Sequence, residues 1–241
     1  GFYSLAYQMA MFPLTKISGI IRVPAFPAFS IIQDENEKLR EGYLKIIKYT
    51  SLITFPLLAG LAIVAPKFVP IVIGKKWVPM ILPLQILCIA GALKSIGTHV
   101  GSILYSKGRS DISFKWTVFA TIVTVIAILI GIQYDIVGVA TAITITSCSL
   151  LLIIQKITNK LIDLSFRDFF GTLRSATICS AIMMVSILIL QKSDLYVSLP
   201  GILSLISSII IGGIVYIFAL LIIDKDSIKE IKILIKQLRS K

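Results

Sequence analysis

YVSLPGILSLISSIIIGGIVYIFALLII, residues 196–223, runs for twenty-eight residues without one charged side chain. About twenty apolar residues in a helix cross the hydrocarbon of a bilayer, and no soluble core helix needs a run this long and uniform. Working outward, the same pattern recurs six more times, and the spans expected lie at about 2–32, 43–66, 79–105, 112–133, 136–155, 170–191 and 196–223. The composition agrees: 56% of the 241 residues are hydrophobic, the mean hydropathy is +0.94, and 15% are charged, well below the quarter usual in soluble domains. The expected fold is all-α, a polytopic transmembrane bundle of about seven spans over residues 1–223, followed by a polar tail at 224–241.

A net charge of +12 raises the question of nucleic acid. In a polytopic protein the excess has another origin, because Lys and Arg collect in cytoplasmic loops. With the tail placed in the cytoplasm and the spans alternating backwards, sixteen of the 24 Lys and Arg residues fall on the cytoplasmic side, near positions 38, 109, 160 and in the tail. Four, Lys67, Lys75, Lys76 and Lys192, fall outside. That bias sets a cytoplasmic C-terminus, and nucleic acid is not an expected partner. The chain opens on Gly1 in apolar sequence, which reads as the cut end of a longer protein.

Within the tail, Ser227 and Glu230 have capping-box spacing, and Ile228, Ile231, Ile235 and Leu238 share one helical face. Lys229, Lys232, Lys236 and Arg239 share another. A basic amphipathic helix of this kind lies on the anionic inner leaflet; the plainer reading is a solvated tail.

The stretch MFPLTKISGIIRVPAFPAFS, residues 11–30, puts three prolines and two cations in a membrane span. Pro13, Pro24 and Pro27 each remove a helical hydrogen bond. Lys16 and Arg22 each cost about 2.5–3.5 kcal/mol at mid-span on insertion scales. Bent helices carrying charge occur where backbone lines a cavity. The expected role is a cavity wall presenting Lys16 and Arg22 to an anion, against the plainer one of snorkelling cations and prolines that only shape packing. In the third span Gln85, Ser95, His99 and Ser102 share one face, with Lys94 beside them and Gly97 and Gly101 in GxxxG spacing. His99 is the one histidine of the chain, and a lone histidine is commonly a packed, hydrogen-bonded residue.

All twelve acidic residues fall in loops, span ends or the tail. Cys88, Cys148 and Cys179 have no ligand spacing, so no metal and no cofactor is expected. Nucleotide-binding, zinc-protease and serine-hydrolase motifs are missing, and the chain reads as a transporter body and not an enzyme.

Residues 1–45, GFYSLAYQMAMFPLTKISGIIRVPAFPAFSIIQDENEKLREGYLK, resemble a block of bacterial polysaccharide-export flippases. These are the colanic-acid and teichuronic-acid exporter type within the multidrug/oligosaccharidyl-lipid/polysaccharide exporter superfamily. FPLLAGLAIVAPKFVPIVIGKKWVPMILPLQIL (55–87) resembles the next block, YSKGRSDISFKW (105–116) the loop after it, and GVATA (138–142) a later stretch. The resemblance implies the C-terminal lobe of a two-lobed, alternating-access transporter of the cytoplasmic membrane, with a missing N-terminal lobe as its partner. The implied cargo is an undecaprenyl-pyrophosphate-linked oligosaccharide bound for lipopolysaccharide or a related polysaccharide. Lys16, Arg22 and Lys94 would hold the pyrophosphate, and Gln85, Ser95, His99 and Ser102 the sugars. The alternatives are a multidrug/cation antiporter of the same superfamily, which would want cavity carboxylates, and a membrane-embedded polymerase or acyltransferase, which would want a large outer loop or a His–Asp pair.

Overall fold

The structure is a computed structural model that describes residues 1–18, 26–193, 196 and 199–225, with the side chains of Ile17 and Ser18 left aside. Arg22, Pro24 and the basic tail helix with its capping box lie outside the described residues.

Helix α1 (Phe2–Pro13) runs into a π turn (Leu14–Ser18), and residues 26–31 are again helical. Then come α2 (Asn36–Phe68), a π turn (Val69–Ile73), a 3₁₀ turn (Lys75–Met80), α3 (Ile81–Gly97), α4 (Val100–Ser106), α5 (Ser110–Gly131), a 3₁₀ turn (Ile132–Tyr134), α6 (Asp135–Leu161), α7 (Phe166–Gln191) and α8 (Gly201–Ile223). The described residues contain no strand. Among the described residues five continuous helical stretches are long and apolar enough to span a membrane, and one of them, Ser110–Leu161, holds two helices of spanning length. There the chain reverses at Asp135, whose φ of 58° breaks helical geometry, and α6 packs back along α5. The arrangement is the all-α polytopic bundle expected.

The core is apolar as in a soluble domain, but much of the outer surface is apolar too. Phe114, Ile122, Ile126 and Leu129 on α5, and Ile210, Ile214, Phe218 and Ile222 on α8, are exposed apolar side chains. They form the lipid face. Small residues sit where helices touch. Ser204, Ser208 and Gly212 on α8 are all buried, and a Cβ on Gly212 would meet Ile187 of α7 at 2.8 Å.

α2 is the spine, packed against α7, α3 and α8. Inside it stand Pro56 and Pro66. Proline has no N–H, so the carbonyl four residues earlier loses its helical donor. Both orphaned carbonyls receive side chains from other helices. Tyr216 on α8 donates its hydroxyl to the Leu52 carbonyl at 2.6 Å. Gln85 on α3 donates Nε2 to the Ala62 carbonyl at 2.9 Å. The prolines thereby create acceptors that tie α2 to its two neighbours.

Polar ties continue toward the end of the bundle where the basic loops gather. Thr54 meets Ser95 at 3.0 Å, Thr50 meets His99 Nε2 at 2.8 Å, and Tyr43 donates to Gln155 at 2.9 Å. Lys48 pairs with the nearly buried Asp224 at 2.9 Å, fixing the end of α8 to α2. Beyond the membrane stretch, Asn36 donates to Asp163 at 2.7 Å and accepts from Lys107 at 2.6 Å, so three loops share one polar knot. At the opposite end Lys67 donates to Ser204 at 3.1 Å and stands 3.7 Å over the Tyr196 ring.

The pairing of proline and donor makes a coupled prediction. Gln85→Leu leaves the Ala62 carbonyl without a partner and lowers stability by about 1–3 kcal/mol. Pro66→Ala supplies the missing backbone donor, so the double variant recovers most of that loss in detergent melting curves. Additive losses in the double variant would show that Gln85 does not serve this carbonyl.

Candidate functional site: a cationic helix face

α1 divides into two faces. Ala6, Ala10 and Met11 are buried, while Ser4, Gln8, Phe12, Thr15 and Lys16 are exposed or nearly so. The exposed face is mostly polar, unlike those of α5 and α8. Gln8 donates to Ser4 at 3.3 Å and Thr15 to the Phe12 carbonyl at 3.0 Å. Pro13, which has no N–H to give the Met9 carbonyl, is followed at once by the wider π turn, and that turn carries Lys16 outward. Its ammonium stands 6.0 Å from the Phe12 ring centroid. Pro27 is exposed among the helical residues 26–31.

The half-buried Lys94 comes to the same helix from α3. Its Nζ lies 3.5 Å from the Tyr7 hydroxyl and 5.4 Å from the Tyr7 ring centroid. Tyr7 in turn stacks with Tyr3 at 6.1 Å. This approach depends on Gly91, one turn before Lys94. A Cβ there would sit 2.7 Å from the Ala10 carbonyl oxygen, so glycine is what lets α1 and α3 come this close. No acidic side chain pairs with Lys16 or Lys94 among the described residues. Two uncompensated cations in a membrane bundle suit an anion and repel a cation.

The polar stripe of the third span takes a different position. Gln85 is occupied by the Ala62 carbonyl, as above. Ser95 and His99 are fully buried and face Thr54 and Thr50 of α2. Ser102 is buried one turn further on. Gln85, Ser95 and His99 therefore join α3 and the turn after it to α2, and Ser95, His99 and Ser102 lie buried inside the lobe, whereas Lys16 stands on the exposed face of α1. The Gly97/Gly101 pair is not a close-approach face either. A Cβ on Gly97 would make only an ordinary contact with Leu151 at 3.5 Å. Gly97 instead ends α3, and Thr98 and His99 form a turn before α4 begins.

Apolar periodicity does not reveal that break, since Ile81–Ser106 has the pattern of one helix. It opens a pocket of about 300 Å³ between α3, α5 and α6, under the π turn at Leu14, with Lys94 and Thr98 in its wall. Thr98 donates its hydroxyl to the Ser95 carbonyl at 2.9 Å, a local bond of the kind that competes with the helix ladder. The residues Gly97, Thr98 and His99 carry a signal of their own, being a glycine followed by two poor helix formers.

Comparison with known proteins follows the same lines. Residues 1–82 match the protein family described as "Polysaccharide biosynthesis protein". The chain is 47% identical over 133 residues to the lipopolysaccharide biosynthesis protein WzxC of Escherichia coli (strain K12), covering 55% of this chain and 27% of that one. It is 34% identical to an uncharacterised membrane protein in the cps region of Klebsiella pneumoniae, covering 99% of this chain and 49% of the relative. It is 31% identical to the teichuronic acid biosynthesis protein TuaB of Bacillus subtilis (strain 168), covering 91% and 46%. Among solved structures, the lipid II flippase MurJ in an inward closed conformation superposes with a TM-score of 0.75 at 18% identity, over 94% of this chain and 47% of that one. The chain is thus similar to proteins of polysaccharide biosynthesis, shares the fold of about half of the MurJ chain, and spans about half the length of the curated relatives it matches, or less. It is a multi-pass membrane protein.

The α1–α3 approach sets a test of the site's architecture. Gly91→Ala should push α1 off α3 and cost about 1–3 kcal/mol, because the added methyl meets a backbone atom. Gly97→Ala should be close to neutral. The order of the two melting temperatures checks it, and a neutral Gly91→Ala would mean that α1 is not seated on α3 as described.

Proposed function

We propose that this chain forms one lobe of a transporter that moves lipid-pyrophosphate-linked oligosaccharides across the bacterial cytoplasmic membrane for polysaccharide assembly. The observation that carries the reading is that two cations without an acidic partner among the described residues belong to this part of the bundle: Lys16 on the exposed polar face of α1, and the half-buried Lys94, which reaches Tyr7 of the same helix. A pyrophosphate cannot enter hydrocarbon unaided. A wet wall carrying fixed ammonium groups lowers that barrier, while the polyprenyl chain stays among apolar helix faces.

In this reading Lys16 and Lys94 bind the pyrophosphate, with Arg22 of the same segment as a third cation. Pro13 sets the turn that carries Lys16 outward, and Pro24 and Pro27 shape the segment after it. In this reading Gln85, Ser95 and His99 hold α3 and the turn after it on α2 and so position Lys94, and the buried Ser102 lies with them and not on the cargo path. The second lobe, supplied by the rest of a longer protein, closes the other side of the cavity. The cargo class is supported by similarity to a lipopolysaccharide and a teichuronic acid biosynthesis protein, and by the fold shared with a lipid II flippase. A cation antiporter would need carboxylates on this face, and its described residues offer none.

The orientation proposed is C-terminus inside. The polar knot of Asn36, Lys107 and Asp163 then lies in the cytoplasm together with Lys38, Arg40, Arg109 and Lys160. The tail at 226–241 would lie along the anionic inner leaflet. A single cysteine at position 109, in a background without the native cysteines, should resist impermeant label in whole cells and react after permeabilisation.

The transport reading is tested in the full-length protein. Lys16→Ala and Lys94→Ala should each weaken binding of undecaprenyl pyrophosphate tenfold to a hundredfold, since a charge-assisted contact is worth about 1.5–3 kcal/mol. Lys16→Arg should retain most of the binding. A normally expressed Lys16→Ala/Lys94→Ala variant that still exports polysaccharide would overturn the proposal.

A further inference from the structure

Lys94 also lines the pocket of about 300 Å³ beside the turn that follows α3, and its lining is chemically specific. Three hydroxyl residues line it: Thr98 on the break, Thr124 on α5 and Ser147 on α6. Each already donates its proton within its own segment, to Ser95 at 2.9 Å, to Ala120 at 2.7 Å and to Ile143 at 2.7 Å. What each oxygen has left to offer the pocket is a lone pair, so the three are acceptors. Lys94 supplies donors: an ammonium has three, and the one contact it makes here, to Tyr7, is long. Trp116 adds an indole, and the remaining wall is aliphatic. Among the described residues no carboxylate and no guanidinium lines the pocket. About 300 Å³ lies at the small end of the range for ligand sites, so the occupant is a single ring, not an oligosaccharide.

A small ring that donates several hydrogen bonds, accepts from an ammonium and has an apolar face for an indole is a hexose. We propose that this pocket is a subsite for the sugar attached directly to the pyrophosphate, with Trp116 against its apolar face, Thr98, Thr124 and Ser147 accepting from its hydroxyls, and Lys94 bridging sugar and phosphate. The inference rests on the transport reading above and adds to it. It separates the phosphate contacts, made by Lys16 and Lys94, from the sugar contacts, which come from α5, α6 and the helix break and not from the buried stripe Gln85, Ser95, His99 and Ser102.

The experiment measures binding by the full-length protein in detergent. Its probes are bare undecaprenyl pyrophosphate and the same lipid carrying glucose, galactose or N-acetylglucosamine. The wild type should bind at least one glycosylated probe roughly tenfold more tightly than the bare lipid. Ala120→Leu, which fills the pocket from α5, and the near-isosteric pair Thr124→Val/Ser147→Ala should each abolish that preference and leave binding of the bare lipid unchanged. Lys94→Ala should weaken both. The second variant creates no overpacking, so loss of preference in it cannot come from misfolding when bare-lipid binding persists. If the wild type binds the bare lipid but prefers none of the sugars, or if the pocket variants keep the preference, the sugar subsite is wrong and the transport reading stands. If the wild type binds none of the probes, both fall.

Discussion

A carbonyl inside a bilayer has no water to turn to, and the spine of this bundle holds two carbonyls whose helical donors are replaced by prolines. The packing on α2 is arranged around that constraint. Tyr216 reaches the Leu52 carbonyl from α8, and Gln85 reaches the Ala62 carbonyl from α3. Each contact satisfies an acceptor that would otherwise cost about 1–3 kcal/mol and also fixes the register of one helix against another. Apolar surface gives little reason for one membrane helix to choose a partner, since lipid is as apolar as the partner. Localised polar ties of this kind supply the choice.

The same logic sorts the polar residues into two sets. Those buried among helices, Thr50, Thr54, Ser95, His99, Tyr43 and Gln155, meet one another at 2.8–3.0 Å or donate to main chain. They are structural by position. Those at the α1 face and in the pocket are different. Lys16 has an aromatic ring at 6.0 Å and no anion, Lys94 has a long contact to Tyr7, and the hydroxyls of Thr98, Thr124 and Ser147 have given their protons but not all their lone pairs. On the transport reading proposed above, groups left incompletely satisfied in this way are the ones a polar cargo would meet.

Much of the architecture is legible in the amino-acid sequence because the signal is long. Some twenty uncharged residues in a row leave one structural option, and the clustering of Lys and Arg motivates an orientation. The cations of the first span are legible for the same reason: charge in an apolar run stands out. What the stripe Gln85, Ser95, His99 and Ser102 does is not. Helical periodicity tells which residues share a face but not what that face meets. The partners of the stripe, Ala62, Thr54 and Thr50, lie far back along the chain on a helix whose rotation no local pattern fixes. The link between Leu52, orphaned by Pro56, and Tyr216 joins opposite ends of the chain and is equally out of reach. The break at Gly97–His99 is readable in principle, but GxxxG spacing suggests helix contact where the chain in fact loosens. In this span the close contact falls on Gly91, which meets a backbone carbonyl of α1 and has no second glycine at that spacing.

The loosening at Gly97–His99 and the tightness at Gly91 have a joint consequence. Gly91 lets α1 approach α3 just before Lys94, and the α-helical pattern is interrupted by the turn at Thr98 and His99 just after it. Lys94 therefore stands where α3 is pinned on one side and interrupted on the other. Thr50 and Thr54 of α2 hold the residues flanking the break through His99 and Ser95, so the interruption is itself anchored. A cation so placed has its backbone fixed by buried hydrogen bonds while its long side chain keeps its freedom. The lobe thereby keeps a charge inside an apolar bundle without a carboxylate partner among the described residues, and the cost of keeping it there is carried by the packing of α1, α2 and α3 around it.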